Sequence, residues 1–411
     1  MWMVSKRNRR PSWKRQWAVA EVFAGVGSVA EGFRSGGGFE VAYLNDIDPV
    51  VRDTYQENYG KDVTYDLQDA RDVSAKMIKD GADGRPIAGL LGCPPCQGWS
   101  AAGQRLSDDD RNRLLAEFFR LVDEIQPMFF VMENVPGVSD RGELMDALRR
   151  LSKRYQSWSG VLNAASYGLP QSRQRTLVIA YHRSTGVVPT PPRPTHAGGR
   201  RLWDYRTESL LKPSKDNLDA LLGAAPRLGA PKAAPYTMRQ HYPDDISTLR
   251  NFVTVGEAIR DLNPSEDAPP SDYVRRLGGG WTPPVNHRPW RHSKEFMDRM
   301  ATVPEGCRPP AAATNNRRYY SQAYTRLHRR GLARTITTNF HNPGCGRFLH
   351  YAEPRSLTVR EAARLQGFDD GVQFIGHPSW QERVVGNAFP PLWAHLIGRH
   401  AADELAPALA N

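Results

Sequence analysis

The chain of 411 residues can bury a large core and predicts two domains. Its four cysteines are too few and too scattered for a disulfide framework, and no apolar stretch approaches the roughly 18 residues of a membrane span. No N-terminal run resembles a signal peptide, so the composition predicts a soluble cytoplasmic protein with no membrane partner.

The net charge of +11 is concentrated in two segments. Residues 1–17 hold six Lys or Arg and no acid, and residues 184–330 hold 23 basic and 14 acidic side chains. Positive charge gathered on part of a nearly neutral body indicates a polyanion-binding surface, although a solubilising surface would look the same. The arm 1–17 could lie along a phosphate backbone or form a disordered tail.

From residue 17 to residue 183, short apolar strands alternate with helical stretches, which predicts an α/β fold with a doubly wound, mostly parallel sheet. A proline-rich run at 187–199 predicts a linker, and residues 200–330 are irregular. Amphipathic helices are predicted at 356–368 and 390–405. The predicted strands are 18–23, 40–44, 87–91, 128–132 and 176–181.

The loop after the first predicted strand has the spacing of a nucleotide-binding turn. Its glycines, Gly25 and Gly27, permit a tight turn and the close approach of a ligand. Asp46 follows 21 residues after Gly25, where an acid would hold ribose hydroxyls, and Asp48 is the nearby alternative. The pattern predicts a cofactor that contains adenosine, and it does not separate a dinucleotide from S-adenosylmethionine.

The segment GCPPCQGWS at 92–100 follows an apolar run. Its prolines restrict the backbone, so the loop can hold the Cys96 thiol in one orientation at the end of a buried strand. A nucleophile is one interpretation. The alternatives are that Cys93 and Cys96 pack, bind metal or form a redox pair.

Three further segments carry polar groups that suit catalysis. Glu133 and Asn134 end a hydrophobic strand, and Arg173 and Arg175 lie two apart on one face of an extended segment. The dipeptide at 386–387 predicts a turn that opens a helix. Taken singly, each has a plainer explanation: a helix cap, a solvated face or an ordinary turn.

Taken in chain order, these motifs resemble those of the bacterial cytosine-5 DNA methyltransferases in their unpermuted order. The resemblance covers roughly 18–183 and 331–400. It implies S-adenosylmethionine as cofactor, duplex DNA as substrate, and a restriction-modification or related phage-defence setting. The motifs are FAGVG, NDID, PPCQGWS, ENVPG, QSRQR, SLTVREAARLQGF and VGNAFPP.

The resemblance implies a role for each catalytic residue. Cys96 would add to carbon 6 of a flipped cytosine, which makes carbon 5 reactive toward a methyl group. Glu133 would contact and protonate ring nitrogen 3, a role that requires a carboxyl group able to hold a proton. Arg175 would contact the base carbonyl, Arg173 would support the cysteine loop and a nearby phosphate, and Asn134 would orient the loop and the base.

The same resemblance implies the cofactor contacts and the domains. Residues 18–183 with 380–411 would form the catalytic domain, 184–379 the smaller target-recognition domain, and 1–17 a basic arm. No metal is implied. The expected cofactor contacts are Phe23, Gly25 and Gly27 at methionine and adenosine, Asp46 at ribose, Ile47 beside adenine, Asp66 at the adenine amino group, and Asn387 closing the pocket.

Some features depart from the family pattern. Ser28 replaces a glycine, Asp46 stands where glutamate is common, and the segment 184–252 has no counterpart among the motifs. The alternatives are methylation of tRNA, a catalytically silent DNA-binding paralogue, a redox module, and a zinc site that uses all four cysteines. We expect a monomer whose possible partner is a restriction endonuclease acting on the same DNA site.

Overall fold

The computed structural model describes residues 17–95, 113–140, 142–222, 242–278, 284–309 and 322–410. The predicted nucleophile Cys96 and the arm up to residue 16 lie outside the described residues.

Eleven strands are present in the described part of the chain. They are β1 Ala18–Val22, β2 Glu40–Asp46, β3 Thr64–Leu67, β4 Ile87–Gly92, β5 Phe129–Asn134, β6 Tyr155–Asn163, β7 Gln171–Ser172, β8 Gln174–His182, β9 Leu202–Asp204, β10 Ser209–Leu211 and β11 Ala333–Arg334. The helices are α1 Ser28–Gly37, α2 Pro49–Tyr59, α3 Ala75–Gly81, α4 Leu114–Ile125, α5 Gly142–Leu151, α6 Leu218–Leu221, α7 Val255–Ile259, α8 Asp272–Arg276, α9 Lys294–Ala301, α10 Val359–Leu365, α11 Pro378–Asn387 and α12 Pro391–Leu409.

Seven strands form the central sheet in the order β3-β2-β1-β4-β5-β8-β6. Strands β1 to β5 are parallel, whereas β8 is antiparallel to both β5 and β6. The inner parallel strands are buried on both faces, which accounts for continuous apolar runs such as IAGLLG in β4. Helix α1 and the C-terminal α12 cover one face, and α4 and α5 cover the other.

The predicted α/β fold with a mostly parallel sheet is confirmed. The five predicted strands are all present, with ends within two residues of their expected positions. The strands β3 and β6 were not predicted, because β3 has only four residues and β6 alternates polar with apolar residues at the sheet edge. The dipeptide at 386–387 ends α11 rather than forming a turn, so that prediction was wrong; the break comes at the two prolines that follow.

The first and last helices of the described chain pack closely together. A side chain on Gly398 would place its Cβ 2.7 Å from the Phe33 Cα, so only glycine fits there. The Trp17 indole also donates a hydrogen bond to the carbonyl of Leu409 at 2.9 Å. The two ends of the chain therefore stabilise the same face of the sheet.

A buried ion pair fixes the start of α10. Glu361 is fully buried and accepts two hydrogen bonds from Arg355, at 2.8 and 2.9 Å, while it completes a capping box with Thr358. Burial alone would raise the pKa of Glu361, but Arg355 and His350 hold that pKa far below its ordinary value of 4.5.

We expect Glu361→Gln to lower the free energy of unfolding by about 3 kcal/mol at pH 7, because Arg355 loses a buried partner. The pKa of Glu361 is lower in the folded state than in the unfolded state. The free energy that the ion pair contributes is therefore fully present above the unfolded-state pKa, and it is progressively lost as the pH falls below about 5. Urea denaturation from pH 7 to pH 3 should show the two proteins converging. Asp272→Asn, which breaks an exposed pair with Arg275, should change little at any pH.

Within the described ranges, no helix is both long and apolar enough to cross a membrane. In the same ranges no group of three His, Cys, Asp or Glu side chains could hold a metal ion.

Candidate cofactor and catalytic cleft

The main cleft lies where the carboxyl ends of the parallel strands meet. The order of the sheet reverses direction between β1 and β4, and ligands of such sheets bind outside the strand ends at this point. The glycine loop follows β1, and the cysteine loop begins directly after β4. The cleft has a volume of about 630 Å³, which is in the range of sites that enclose a drug-sized ligand.

The glycine loop has the backbone that its sequence predicts. Gly25 and Gly27 have φ values of 53° and 67°, and a Cβ on Gly27 would lie 2.7 Å from the Tyr55 ring. Phe23 also has a positive φ of 57°, which is uncommon for a side chain of this size. Backbone strain of this kind gathers at ligand sites, so Phe23 is presented to the cleft by a conformation that packing must maintain.

A buried acid caps the helix that follows the glycine loop. Glu21 is 1 % exposed, lines the cleft, and accepts a hydrogen bond from the Ala30 amide at 2.8 Å in the first turn of α1. Burial raises the pKa of Glu21 well above its ordinary value. Glu21 was not among the predicted site residues, although an acid inside an apolar strand is a signal that could have found it.

Asp46, and not Asp48, ties the second strand to the glycine loop. The Asp46 carboxylate accepts hydrogen bonds from the amides of Gly25, at 2.8 Å, and Asp48, at 3.1 Å. Asp48 instead caps α2 and pairs with Arg383 at 2.6 Å. Between them, the Ile47 side chain is 69 % exposed at the edge of the cleft, and an exposed apolar side chain there offers a surface for a flat ring.

Asp66, predicted to contact the adenine amino group, has its carboxylate bonded elsewhere in the structure. The carboxylate accepts a hydrogen bond from the Tyr43 hydroxyl at 2.7 Å, and Asp66 is not among the residues that line the cleft. Its neighbour in the strand, Tyr65, bonds to the Gly25 carbonyl, so strand alternation turns Asp66 to the opposite face. Asp69, three residues later and beyond the end of β3, does line the cleft, where it pairs with Arg71 at 2.8 Å.

The start of the cysteine loop is held from the neighbouring strand. The Asn134 side-chain amide donates a hydrogen bond to the Pro94 carbonyl at 3.1 Å, and its oxygen accepts one from the Val135 amide. Cys93 packs against the core, where burial and the nearby Glu133 raise the pKa of its thiol well above the ordinary value. A thiol that keeps its proton is a poor nucleophile, so Cys93 suits packing rather than chemistry.

Glu133 and Arg175 meet at the floor of the cleft. Their strands are antiparallel neighbours, and Glu133 lies opposite Leu177, which puts Arg175 at the diagonal position. The Arg175 Nε lies 2.6 Å from the Glu133 Oε1, and the two side chains are 14 % and 12 % exposed. A carboxylate and a guanidinium are thus presented together, at a point that a ligand in the cleft can reach.

Arg173 lies deeper than Arg175. It is 2 % exposed and donates hydrogen bonds to the carbonyls of Ile336 and Ala388. It therefore joins the strand segment that carries Arg175 to two C-terminal segments of the chain. Both Arg173 and Asn387 line the cleft, and Asn387 does so from the last residue of α11.

Comparison with known proteins gives a consistent picture. The model of the family described as C-5 cytosine-specific DNA methylase matches residues 17–402. The type II methyltransferase M.AgeI of Thalassovita gelatinovora is 27 % identical, over 95 % of this chain and 99 % of that protein. M1.HphI of Haemophilus parahaemolyticus is 29 % identical, over 92 % of this chain and 84 % of that protein.

Solved structures share the fold. A prophage-encoded Escherichia coli protein assigned as a DNA modification methyltransferase superposes with a TM-score of 0.67 at 24 % identity, over 95 % of this chain and 99 % of that one. The Dnmt2 methyltransferase of Schizosaccharomyces pombe gives a TM-score of 0.52 at 15 % identity, with coverage of 95 % and 99 %. At these identities the likeness concerns the fold alone.

Proposed function

The chain belongs to the C-5 cytosine-specific DNA methylase family and is a DNA (cytosine-5)-methyltransferase. From this we propose that it methylates a flipped cytosine in a specific duplex site through a covalent Cys96 adduct. The observation that carries the proposal is the ion pair of Glu133 and Arg175 at the floor of the cleft, near the start of the cysteine loop. The Arg175 Nε lies 2.6 Å from the Glu133 Oε1.

The hydrogen bonds of the glycine loop favour S-adenosylmethionine over a dinucleotide. A dinucleotide places its pyrophosphate at the helix N-terminus that follows the loop. Here the Glu21 carboxyl already accepts a hydrogen bond from the Ala30 amide in the first turn of α1, so that donor is not available to a pyrophosphate. S-adenosylmethionine has no phosphate that needs such a donor, and its sulfonium supplies the methyl group as an electrophile.

Each remaining contact of the cofactor would be made by a residue of this cleft. Asp46 would accept from the ribose hydroxyls, and the exposed Ile47 would cover one face of adenine. We assign the adenine amino group to Asp69 in place of Asp66, because Asp69 lines the cleft. Asn387 would close the pocket from α11.

Each catalytic residue would have a separate role in the reaction. Cys96 would add to carbon 6 of the base, while Glu133 supplies a proton to ring nitrogen 3 so that no full charge builds on the ring. Arg175 would hold the base carbonyl and Asn134 the cysteine loop. Carbon 5 would then take the methyl group of S-adenosylmethionine, with S-adenosylhomocysteine as the leaving group. Loss of the carbon 5 proton to a solvent base, release of Cys96 as the thiolate and return of the nitrogen 3 proton to Glu133 would restore the aromatic ring. The target must leave the duplex first, at a cost of a few kcal/mol.

We propose duplex DNA as the substrate, with residues 184–379 providing recognition and residues 18–183 with 380–411 providing chemistry. Bisulfite sequencing of DNA from a methylation-free host that expresses the chain would reveal both activity and site. Labelled methyl transfer to tRNA compared with DNA separates the two substrates, and label on tRNA alone would refute the proposal. Methylation at one short, repeated sequence would fit a restriction-modification role beside an endonuclease of the same site. We further propose a cytoplasmic monomer.

The reassignment of the adenine contact predicts a matched pair of variants. Asp69→Asn should raise the Kd for S-adenosylmethionine roughly tenfold or more, because a hydrogen bond to a charged group contributes about 1.5 to 3 kcal/mol. Asp66→Asn should leave the Kd within about twofold, since its side chain bonds to Tyr43 outside the cleft. Isothermal titration calorimetry decides between them, and the reverse ranking would restore Asp66.

A further inference from the structure

A second, smaller recess lies beside the catalytic cleft. Its walls come from β9 and the turn that follows it, from the paired strands β7 and β11, and from residues 221, 322, 332 and 347. Ser172 of the QSRQR motif lines this recess, and the next residue, Arg173, lines the main cleft. The recess therefore adjoins the catalytic cleft.

The recess gathers positive charge. Arg206, Arg334 and Arg347 line it, and the acid in its wall is Asp204. Asp204 is already committed, because it accepts from the Arg206 guanidinium at 3.0 and 3.1 Å and from the Thr207 hydroxyl at 3.2 Å. Of the three arginines that line the recess, Arg347 is the most deeply buried.

Arg347 is 3 % exposed, and the Asp204 carboxylate that acts on it electrostatically is already paired with Arg206 at 3.0 Å. Its guanidinium stacks 3.3 Å from the centre of the Tyr205 ring, donates to the Gln322 amide oxygen, and leaves its Nε without a hydrogen-bond partner among the described residues. Burial lowers the pKa of Arg347 to about 10. A buried cation whose nearby carboxylate is bound to another arginine is incompletely compensated, so this site favours an incoming anion.

A second buried arginine shows what a purely structural one looks like in this fold. Arg326 is also 3 % exposed and its Nε also has no partner among the described residues, but its guanidinium donates to three backbone carbonyls, those of Met300, His350 and Glu353. Arg347 has no such set of carbonyls. Its position is nevertheless well fixed, because the hairpin that carries Tyr205 is bonded to the segment 328–330 through Trp203 and through the Tyr205 hydroxyl.

The volume of the recess limits the ligand. At about 40 Å³ it holds roughly three water molecules, and it is far below the roughly 300 Å³ at which small-molecule sites begin. A nucleobase does not fit, whereas the outward oxygens of one phosphate group do. An arginine guanidinium matches phosphate geometry, and phosphate contacts fix the position of a protein on a duplex.

We propose that this recess binds one backbone phosphate of the DNA substrate, with Arg347 as the buried cation and Arg334 beside it, close to the flipped nucleotide. The proposal rests on the proposed function for its substrate, and it gives the hairpin at 202–211 a positioning role in DNA binding.

The first test is the salt dependence of binding to a fluorescent duplex that contains the site at which the protein methylates DNA. Each neutralised phosphate contributes about 0.9 to the slope of log K against log salt, so Arg347→Met should reduce that slope by about one and weaken binding roughly tenfold. Arg347→Lys should keep the slope, and Arg334→Gln should act in the same direction as Arg347→Met. Arg149→Gln, an equal charge change on exposed α5, should change neither quantity.

The second test locates the phosphate. A series of duplexes, each with one neutral methylphosphonate, should show a single position where the wild type loses affinity and Arg347→Met loses none further. Equal losses in both proteins at every position, or an unchanged salt slope, would overturn the proposal. If Arg347→Met bound S-adenosylmethionine more weakly but bound DNA unchanged, the recess would hold an anionic group of the cofactor and not a DNA phosphate. That result would also overturn the proposal. Methyl transfer by the wild type is measured in parallel, so failure of the proposed function is seen separately.

Discussion

Cys96→Ser is expected to reduce methyl transfer by roughly 10⁴-fold or more, the scale seen when an enzyme loses a covalent nucleophile. A hydroxyl does not ionise near neutral pH, so the addition to carbon 6 does not occur at a useful rate. Affinity for DNA should stay within a few-fold, because the change removes no charge that contacts phosphate. Tritium transfer from labelled S-adenosylmethionine measures the first quantity, and fluorescence anisotropy with a duplex measures the second.

The adduct itself can be trapped. In a duplex whose target base is 5-fluorocytosine, carbon 5 carries no proton to lose after methyl transfer, so the sulfur–carbon bond persists. The wild type should give a covalent complex that survives denaturing electrophoresis, and Cys96→Ser should give none. Cys93→Ser is the matched control, since Cys93 packs against the core, and it should still form the complex. A complex with Cys96→Ser but not with Cys93→Ser would transfer the role to Cys93.

Glu133→Gln is expected to lower kcat by roughly 10² to 10⁴-fold, the usual contribution of a positioned general acid. Glutamine is nearly the same size and can still lie against Arg175, whose Nε is 2.6 Å from the Glu133 Oε1, but it cannot supply a proton to the ring. Single-turnover methylation with saturating DNA isolates this step. The Kd values for DNA and S-adenosylmethionine should change little.

The control for this variant is Glu143→Gln, an equal change at an exposed position in the first turn of α5. It should be as active as the wild type. If Glu133→Gln kept a kcat within about threefold of the wild type, proton transfer would have to be assigned to another group or to water. If instead only the Kd for DNA rose, Glu133 would be a binding residue alone.

Much of the fold was predictable, because apolar runs of the right length mark buried parallel strands. What escaped prediction was short or alternating: β3 has four residues, and β6 alternates between buried and exposed residues. The location of the cleft followed from topology, since loops after β1, β2, β4 and β5 must meet at one edge of the sheet.

Individual side chains were harder to predict than the location of the cleft. The acid at the end of β2 was singled out by its spacing, but Asp66 and Asp69 are both acids near the end of β3. Spacing along the chain does not show that Asp66 lies inside the strand and bonds to Tyr43, whereas Asp69 lies beyond it and lines the cleft. Glu21 was overlooked because its partner is a backbone amide. Arg347 could not be found, because Tyr205 and Gln322, which surround it, are distant in sequence.

The close packing of α1 against α12 has a consequence for synthesis. Helix α1, which carries the glycine loop, leaves the ribosome early, but its apolar face is covered by a helix made more than 350 residues later. Asn387 and Ala388, whose carbonyl accepts a hydrogen bond from Arg173, are made just before that helix. A nascent chain can therefore pair its first strands long before it can close its cofactor cleft. Affinity for S-adenosylmethionine should then appear only after α12 has been made, and chains that stop before α11 should be devoid of activity.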